Sequence, residues 1–135
     1  MAGEREMVEL RGEDGIRLVA DAYGPPDGPP ALFFHGSGQT RQSWGRAAVE
    51  LGRQGWRAYT VDHRGHGDSD RHHDGRYEHR DVAQDVIALC AAVHRRPLVI
   101  GASLGGSAAL VAQGEVDEQL YRGLVLVDIT PTVDV

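Results

Sequence analysis

The stretch from Leu98 to Gly106, with the sequence LVIGASLGG, constrains the fold of this chain more than any other. It opens with a short apolar run, turns through a G-x-S-x-G pattern at 101–105, and continues into small residues that begin a predicted helix. Such a sharp turn from strand to helix needs small flanking residues, because Cβ atoms there would collide with the neighbouring backbone. The side chain at its tip projects outward, so Ser103 is a candidate nucleophile, although the pattern alone also fits an incidental glycine-rich turn.

Length and charge restrict the class of protein. With 135 residues the chain is predicted to be one domain or part of one. A net charge of -6 indicates no basic surface for nucleic acid or an anionic membrane. The N-terminus resembles no signal peptide, and no apolar run is long enough to span a bilayer. The single cysteine, Cys90, allows no intrachain disulfide, and we expect a cytoplasmic location.

Two residue types are absent, and their absence removes several chemistries. The chain has no lysine, which excludes a Walker A lysine, a Schiff-base lysine and a Ser-Lys dyad. It has no asparagine, which excludes a Cys-His-Asn arrangement. The segment Gly36-Ser37-Gly38 is only a fragment of a dinucleotide-binding G-x-G-x-x-G pattern, because Arg41 stands where the third glycine belongs. No cofactor is predicted.

Hydrophobic patterning predicts alternating strands and helices after an initial hairpin. Thr40 is a plausible N-cap for the first helix, and Gly55 and Gly114 stand where the first and third helices should end. The alternation predicts a mostly parallel sheet with helices on both faces. The predicted strands are 7–10, 16–23, 31–34, 57–61, 98–100 and 123–129, and the predicted helices are 41–54, 77–94 and 104–113.

Three motifs end consecutive predicted parallel strands: His35-Gly36, the segment DHRGHGDS at 62–69, and the serine turn. In this order they resemble the α/β-hydrolase fold superfamily, particularly its serine esterase and haloperoxidase-like members. The resemblance covers residues from about Glu6 to Pro131. It implies an α/β fold that lacks the C-terminal strands and lid, so we expect residues 1–135 to be the N-terminal part of a single domain.

The resemblance also implies roles for individual residues. Ser103 would be the nucleophile of a nucleophile elbow, acting on a carboxylic ester or similar small acyl substrate; epoxide hydrolases and haloalkane dehalogenases place aspartate there. The Leu104 N–H, at the start of a helix, would donate one hydrogen bond in the oxyanion hole. The second donor would come from the loop after 31–34, with Ser37 N–H as our choice and Gly36 N–H as the alternative.

The family places an acid and then a histidine after the serine, but every histidine of this chain precedes Ser103. Asp128, at the end of the last predicted strand, is a candidate acid, with a structural turn role as the alternative. His35 is expected to shape the oxyanion loop, with a role as general base or in substrate binding as the alternatives. His94 is predicted to lie at the opposite end of the strands from Ser103. The catalytic histidine is therefore expected from a missing segment or a second chain.

Other polar residues have structural interpretations. The segment 62–70 is expected to stabilise a sharp turn beside the site. Cys90 lies on the apolar stripe of a predicted helix and is expected in the core. No metal site is predicted, because the spacing of the clustered histidines matches no helix-borne ligand motif. These histidines are His63, His66, His72, His73 and His79.

The last predicted strand, 123–129, is apolar throughout and would be an open hydrophobic edge. We expect it to pair with a complementing C-terminal segment, a second chain or another copy of this chain. Two functions remain open: a serine hydrolase, and a non-catalytic ligand-binding or assembly module with the same fold. Without a base, serine is a poor nucleophile, so at most feeble activity is expected of the isolated chain.

Overall fold

The computed structural model of the protein describes residues 5–127, which form six strands and three α-helices. Within this range, no helix combines the length and the apolar character that crossing a bilayer requires. Two short 3-10 turns lie at Glu13–Gly15 and Arg41–Trp44. The longer elements are β1 (Arg5–Arg11), β2 (Arg17–Tyr23), β3 (Pro30–Phe34), α1 (Gly45–Arg53), β4 (Arg57–Val61), α2 (His79–Ala92), β5 (Leu98–Ala102), α3 (Leu104–Gly114) and β6 (Gly123–Val127).

The strands form one mixed sheet in the order β1-β2-β4-β3-β5-β6. The predicted hairpin is present as antiparallel β1 and β2, and β2 also pairs antiparallel with β4. The strands β4, β3, β5 and β6 are parallel neighbours. Because parallel strands end at the same edge of a sheet, the segments that follow β3, β4 and β5 meet at one place.

Helices cover both faces of this sheet, as the alternation predicts. Successive side chains of β3 point to opposite faces. Leu32 and Phe34 pack into a cluster that includes apolar residues of α2 and α3. Ala31 and Phe33 pack on the other face, where Ala48 of α1 lies. Each large apolar side chain buried in this way stabilises the fold by about 1.5–3 kcal/mol.

The start of the first helix differs from the prediction. Residues 41–44 form a 3-10 turn, and α-helical geometry begins only at Gly45. Thr40 lies at the predicted N-cap position with extended backbone angles, but its side chain makes no capping hydrogen bond, because its hydroxyl donates to Gln42 Oε1 at 2.7 Å. The Arg41 N–H instead donates to the carboxylate of Asp62 at 2.7 Å, so a distant residue fixes this helix start.

Candidate active site

The turn between β5 and α3 holds Ser103 in a conformation that side chains rarely adopt. Its backbone angles are φ 51° and ψ -111°, and the residue is exposed. A positive φ at a non-glycine residue costs on the order of 1–3 kcal/mol and persists only where the surroundings impose it. Here the Ser103 N–H donates to the Val127 carbonyl at 3.2 Å, and its carbonyl accepts the Ser107 N–H at 2.9 Å. The strand–turn–helix context that the sequence predicts around Ser103 is therefore present.

Two glycines make this turn sterically feasible. A Cβ atom at Gly101 would lie 2.6 Å from the backbone nitrogen of Gly106. A Cβ atom at Gly105 would collide with the carbonyl oxygen of Phe34. Both contacts involve backbone atoms, which cannot move aside cheaply. The glycines of the G-x-S-x-G pattern thus allow α3 to pack against the ends of β3 and β5.

The loop after β3 approaches Ser103 closely. A Cβ atom at Gly36 would lie 3.3 Å from Ser103 Cβ, so the backbone at Gly36 passes directly beside the nucleophile candidate. The Gly36 N–H already donates to Gln39 Oε1 at 2.9 Å. Neither the Ser37 N–H nor the Leu104 N–H has an acceptor among residues 5–127. Of the two loop donors considered from sequence, Ser37 therefore has the N–H that remains available to a ligand.

Three histidines pack together beneath this loop. His35 Nδ1–H donates to the Gly36 carbonyl at 2.7 Å, and its Nε2 accepts the His63 N–H at 3.1 Å. His63 Nε2–H donates to the His35 carbonyl at 2.9 Å. The third ring, His66, accepts the Gly38 N–H at 3.3 Å and donates from Nδ1 to the Arg64 carbonyl. Because His35 is fully buried and both its ring nitrogens have protein partners, its interactions are those of a loop-shaping residue.

Burial keeps two of these rings neutral. It lowers the pKa of His35, and it lowers the pKa of His63 to about 3, with the neighbouring His35 ring adding to the effect. A neutral ring suits the observed network, because His35 must accept a hydrogen bond at Nε2 while donating one at Nδ1.

We expect this burial to make folding stability depend on pH. Between pH 6.5 and about 3 the unfolded chain binds a proton at His63 that the folded chain does not bind. Stability is therefore full above pH 6.5 and falls as the pH falls, by about 2 kcal/mol at pH 5. Urea unfolding between pH 7.5 and 5 measures this loss. His63→Gln should reduce the slope of the free energy of unfolding against pH. His94→Gln, at an exposed residue, is the control that should leave the slope unchanged.

The segment after β4 is held by buried ion pairs that sequence analysis did not identify. The Asp62 carboxylate is fully buried and accepts hydrogen bonds from the Arg41 backbone, the Arg41 guanidinium and the Asp68 N–H. Arg64 makes a two-pronged contact with Asp85 of α2, with both nitrogen–oxygen distances at 2.7 Å. This segment has the turn-stabilising contacts expected from its sequence, and its partners lie on other elements.

The remaining residues singled out from sequence lie away from this arrangement or outside the described range. Asp128 and the last residues of the predicted strand 123–129 fall outside residues 5–127. His94 lies before β5 and Ser103 after it, so the length of the strand separates them. Cys90 packs against the core cluster, and burial raises the pKa of its thiol to about 12, which disfavours the thiolate needed for nucleophilic attack.

One group of potential metal ligands comes together within residues 5–127. Atoms of His72, His73 and Asp74 that could bind a metal ion lie within 4.8 Å of one another on a largely exposed loop. His72 and His73 also line a cleft of about 180 Å³ beside the β1–β2 turn. This volume is below the roughly 300 Å³ at which pockets usually bind small molecules.

Comparison with known proteins places the chain in a family. The model of the alpha/beta hydrolase fold family matches residues 29–134. The chain is 32% identical over 121 residues to a non-heme chloroperoxidase of Streptomyces lividans, covering 89% of this chain and 44% of that protein. It is 36% identical over 124 residues to the sn-1-specific diacylglycerol lipase ABHD11 of Mus musculus, covering 86% of this chain and 39% of that protein.

Solved structures show the same relationship. An α/β hydrolase from Novosphingobium aromaticivorans matches with a TM-score of 0.81 at 32% identity, over 97% of this chain and 46% of that one. The epoxide hydrolase VrEH1 of Vigna radiata matches with a TM-score of 0.82 over 96% of this chain and 39% of that one, and its 22% identity shows a shared fold alone. The chain spans less than half the length of these proteins. The chain belongs to the alpha/beta hydrolase fold family.

Proposed function

We propose that this chain carries the nucleophile and the oxyanion donors of a serine hydrolase that acts on a carboxylic ester or a similar acyl substrate. The observation that carries the proposal is the exposed Ser103 at φ 51°, beside a loop whose Ser37 N–H has no acceptor among the described residues. Similarity to a protein named as a diacylglycerol lipase supports ester chemistry. Serine in place of the aspartate used by epoxide hydrolases also favours acyl transfer.

In the proposed reaction, Ser103 Oγ bonds to the acyl carbon while a general base takes its proton. The carbonyl π electrons move onto oxygen, and the Ser37 and Leu104 N–H groups donate hydrogen bonds to that oxyanion. Because Leu104 is the first residue of α3, the partial positive charge at the helix N-terminus also favours the anion. The alcohol then leaves with the proton held by the base. A water molecule then attacks the acyl-serine while the base takes one of its protons. The bond from the acyl carbon to Ser103 Oγ breaks, the carboxylic acid leaves, and the base returns the proton to Ser103 Oγ.

We propose that the base is supplied by a further polypeptide segment or a second chain, with Asp128 as a candidate acid. His35 and His66 each use both ring nitrogens in hydrogen bonds within the protein, and the buried His63 ring donates from Nε2 to the His35 carbonyl, which supports this assignment. The exposed apolar residues Val125 and Leu126 of β6 offer a surface for such a partner, or for a second copy of the chain, to cover.

Labelling with a fluorophosphonate tests the proposal on the chain itself, because attack by serine forms an O–P bond and releases fluoride. We expect slow labelling confined to Ser103, since no base assists it, and faster labelling when imidazole is added as a diffusible base. Intact mass and peptide mapping measure the site and the rate. Ser103→Ala should abolish labelling, whereas Ser43→Ala, at an exposed serine of the 3-10 turn, should not change it.

Two results would contradict a hydrolase. Labelling spread over surface serines and unaffected by Ser103→Ala would show that Ser103 is not activated by its position. An absence of labelling at Ser103 even with imidazole, together with binding of an ester without turnover, would favour the non-catalytic ligand-binding module.

A further inference from the structure

We propose that Gln39 is a positioning residue for the oxyanion hole: its side chain holds the Gly36 backbone so that the Ser37 N–H is the loop donor presented to substrate. This inference rests on the proposed function. It concerns a residue that is exposed and lies in a loop, and whose identity sequence patterning does not explain.

Hydrogen bonds occupy the N–H groups on both sides of Ser37. The Gly36 N–H donates to Gln39 Oε1 at 2.9 Å, and the Gly38 N–H donates to His66 Nε2 at 3.3 Å. The Gln39 N–H donates to the Gly36 carbonyl at 3.1 Å. Within residues 5–127 the Ser37 N–H has no such acceptor, so this stretch of loop presents a single unoccupied donor between two occupied ones.

Gln39 and His35 together orient the peptide that contains this donor. The Gly36 carbonyl accepts both the Gln39 N–H and His35 Nδ1–H, the latter at 2.7 Å. A trans peptide is planar, so fixing its carbonyl oxygen points the N–H of the next residue in the opposite direction. The Gln39 side chain also accepts the Gly36 N–H. Gln39 therefore makes hydrogen bonds to both the N–H and the C=O of Gly36.

These hydrogen bonds to Gly36 lie directly beside the nucleophile candidate. A Cβ atom at Gly36 would be 2.9 Å from Gln39 Oε1 and 3.3 Å from Ser103 Cβ. Rotation of the backbone at Gly36 would thus change the geometry between Ser37 N–H and Ser103 Oγ. A donor that is misaimed in the ground state must be reoriented when the oxyanion forms, which raises the barrier without weakening substrate binding.

The test compares Gln39→Met, which keeps the length of the side chain and removes the acceptor, with Gln42→Met. Gln42 is a matched control because it is exposed, lies three residues further along, and its side chain accepts the hydroxyl of nearby Thr40. Amide hydrogen exchange measures the hydrogen bond from the Gly36 N–H to the Gln39 side chain independently of activity. We expect Gly36 N–H protection to be lost in Gln39→Met, retained in Gln42→Met, and restored in Gln39→Glu, which again offers an acceptor oxygen.

Fluorophosphonate labelling in imidazole buffer supplies the functional readout. In Gln39→Met we expect the maximal labelling rate to fall about 10-fold or more, and the half-saturating probe concentration to stay within about twofold. Unchanged labelling despite lost Gly36 protection would overturn the inference and leave the proposed function intact. A melting temperature well below that of Gln42→Met would also overturn it, since Gln39 would then be a support of the fold. Wild-type chain that never labels at Ser103 would overturn the proposed function and, with it, the inference.

Discussion

Replacing Arg41 with methionine is expected to lower the free energy of unfolding by about 3–5 kcal/mol at pH 7. The guanidinium is 5% exposed and contacts three carboxylates, of which Asp62 is fully buried and Asp21 is 1% exposed. Without it, the donors left to Asp62 among the described residues would be the backbone N–H groups at positions 41 and 68, and Asp21 would keep Arg5 at 3.7 Å. A buried carboxylate that loses its cation costs far more than the pair contributes, because its desolvation is no longer offset.

Urea unfolding of wild type and variant at pH 7 measures this difference. Arg46→Met, at an exposed position of α1, is the control and should change stability by less than about 0.5 kcal/mol. A loss below about 1 kcal/mol in Arg41→Met would mean that the two buried carboxylates are adequately solvated without it.

The same buried ion pairs connect the loops of the candidate site to one another. Arg41 lies at the end of the loop that carries Ser37. It binds Asp62, the first residue of the segment after β4. Arg64 of that segment binds Asp85 on α2. Both contacts join residues that are 21 positions apart in sequence. The Arg41–Asp62 pair therefore joins the two loops at the carboxyl edge of the sheet, together with the hydrogen bonds between the neutral His35 and His63.

The turn at Ser103 could be predicted from sequence because its determinants are local. An apolar strand, glycines at 101 and 105 and a run of small residues lie within nine consecutive positions, and each reflects a steric demand of the same turn. The strand and helix order was predictable for a related reason, since the short apolar runs of the strands and the helical periodicity of segments such as 77–94 are visible locally in the sequence.

The contacts that align the site were not predictable, because their partners are distant or their residue types are ordinary. Nothing in the neighbourhood of Arg41 marks it as the partner of Asp62, and a 3-10 turn follows Thr40 where an α-helix was expected. Gln39 is a polar loop residue like many others until its side chain is seen on the Gly36 N–H. Composition and spacing specify the position of the candidate nucleophile, whereas the direction of the proposed oxyanion donor depends on contacts that only the folded chain shows.

Replacing Gly105 with alanine is expected to destabilise the fold by about 3 kcal/mol or more. The added Cβ would collide with the carbonyl oxygen of Phe34 and lie 2.7 Å from its carbonyl carbon and Cβ. These atoms belong to the central strand β3, which pairs with β4 and β5 and cannot shift without disturbing both. Relief of the collision must therefore move α3 away from the sheet, and with it the Leu104 N–H.

Gly114→Ala provides the matched control, since it makes the same substitution in the same helix. A Cβ atom there meets nothing within 4 Å, so alanine should stabilise α3 by about 0.5–1 kcal/mol through its higher helix propensity. The melting temperature and the free energy of unfolding should thus fall in Gly105→Ala and rise in Gly114→Ala. Equal effects would mean that α3 can slide along the sheet, and that Gly105 does not fix the position of the Ser103 turn relative to the sheet.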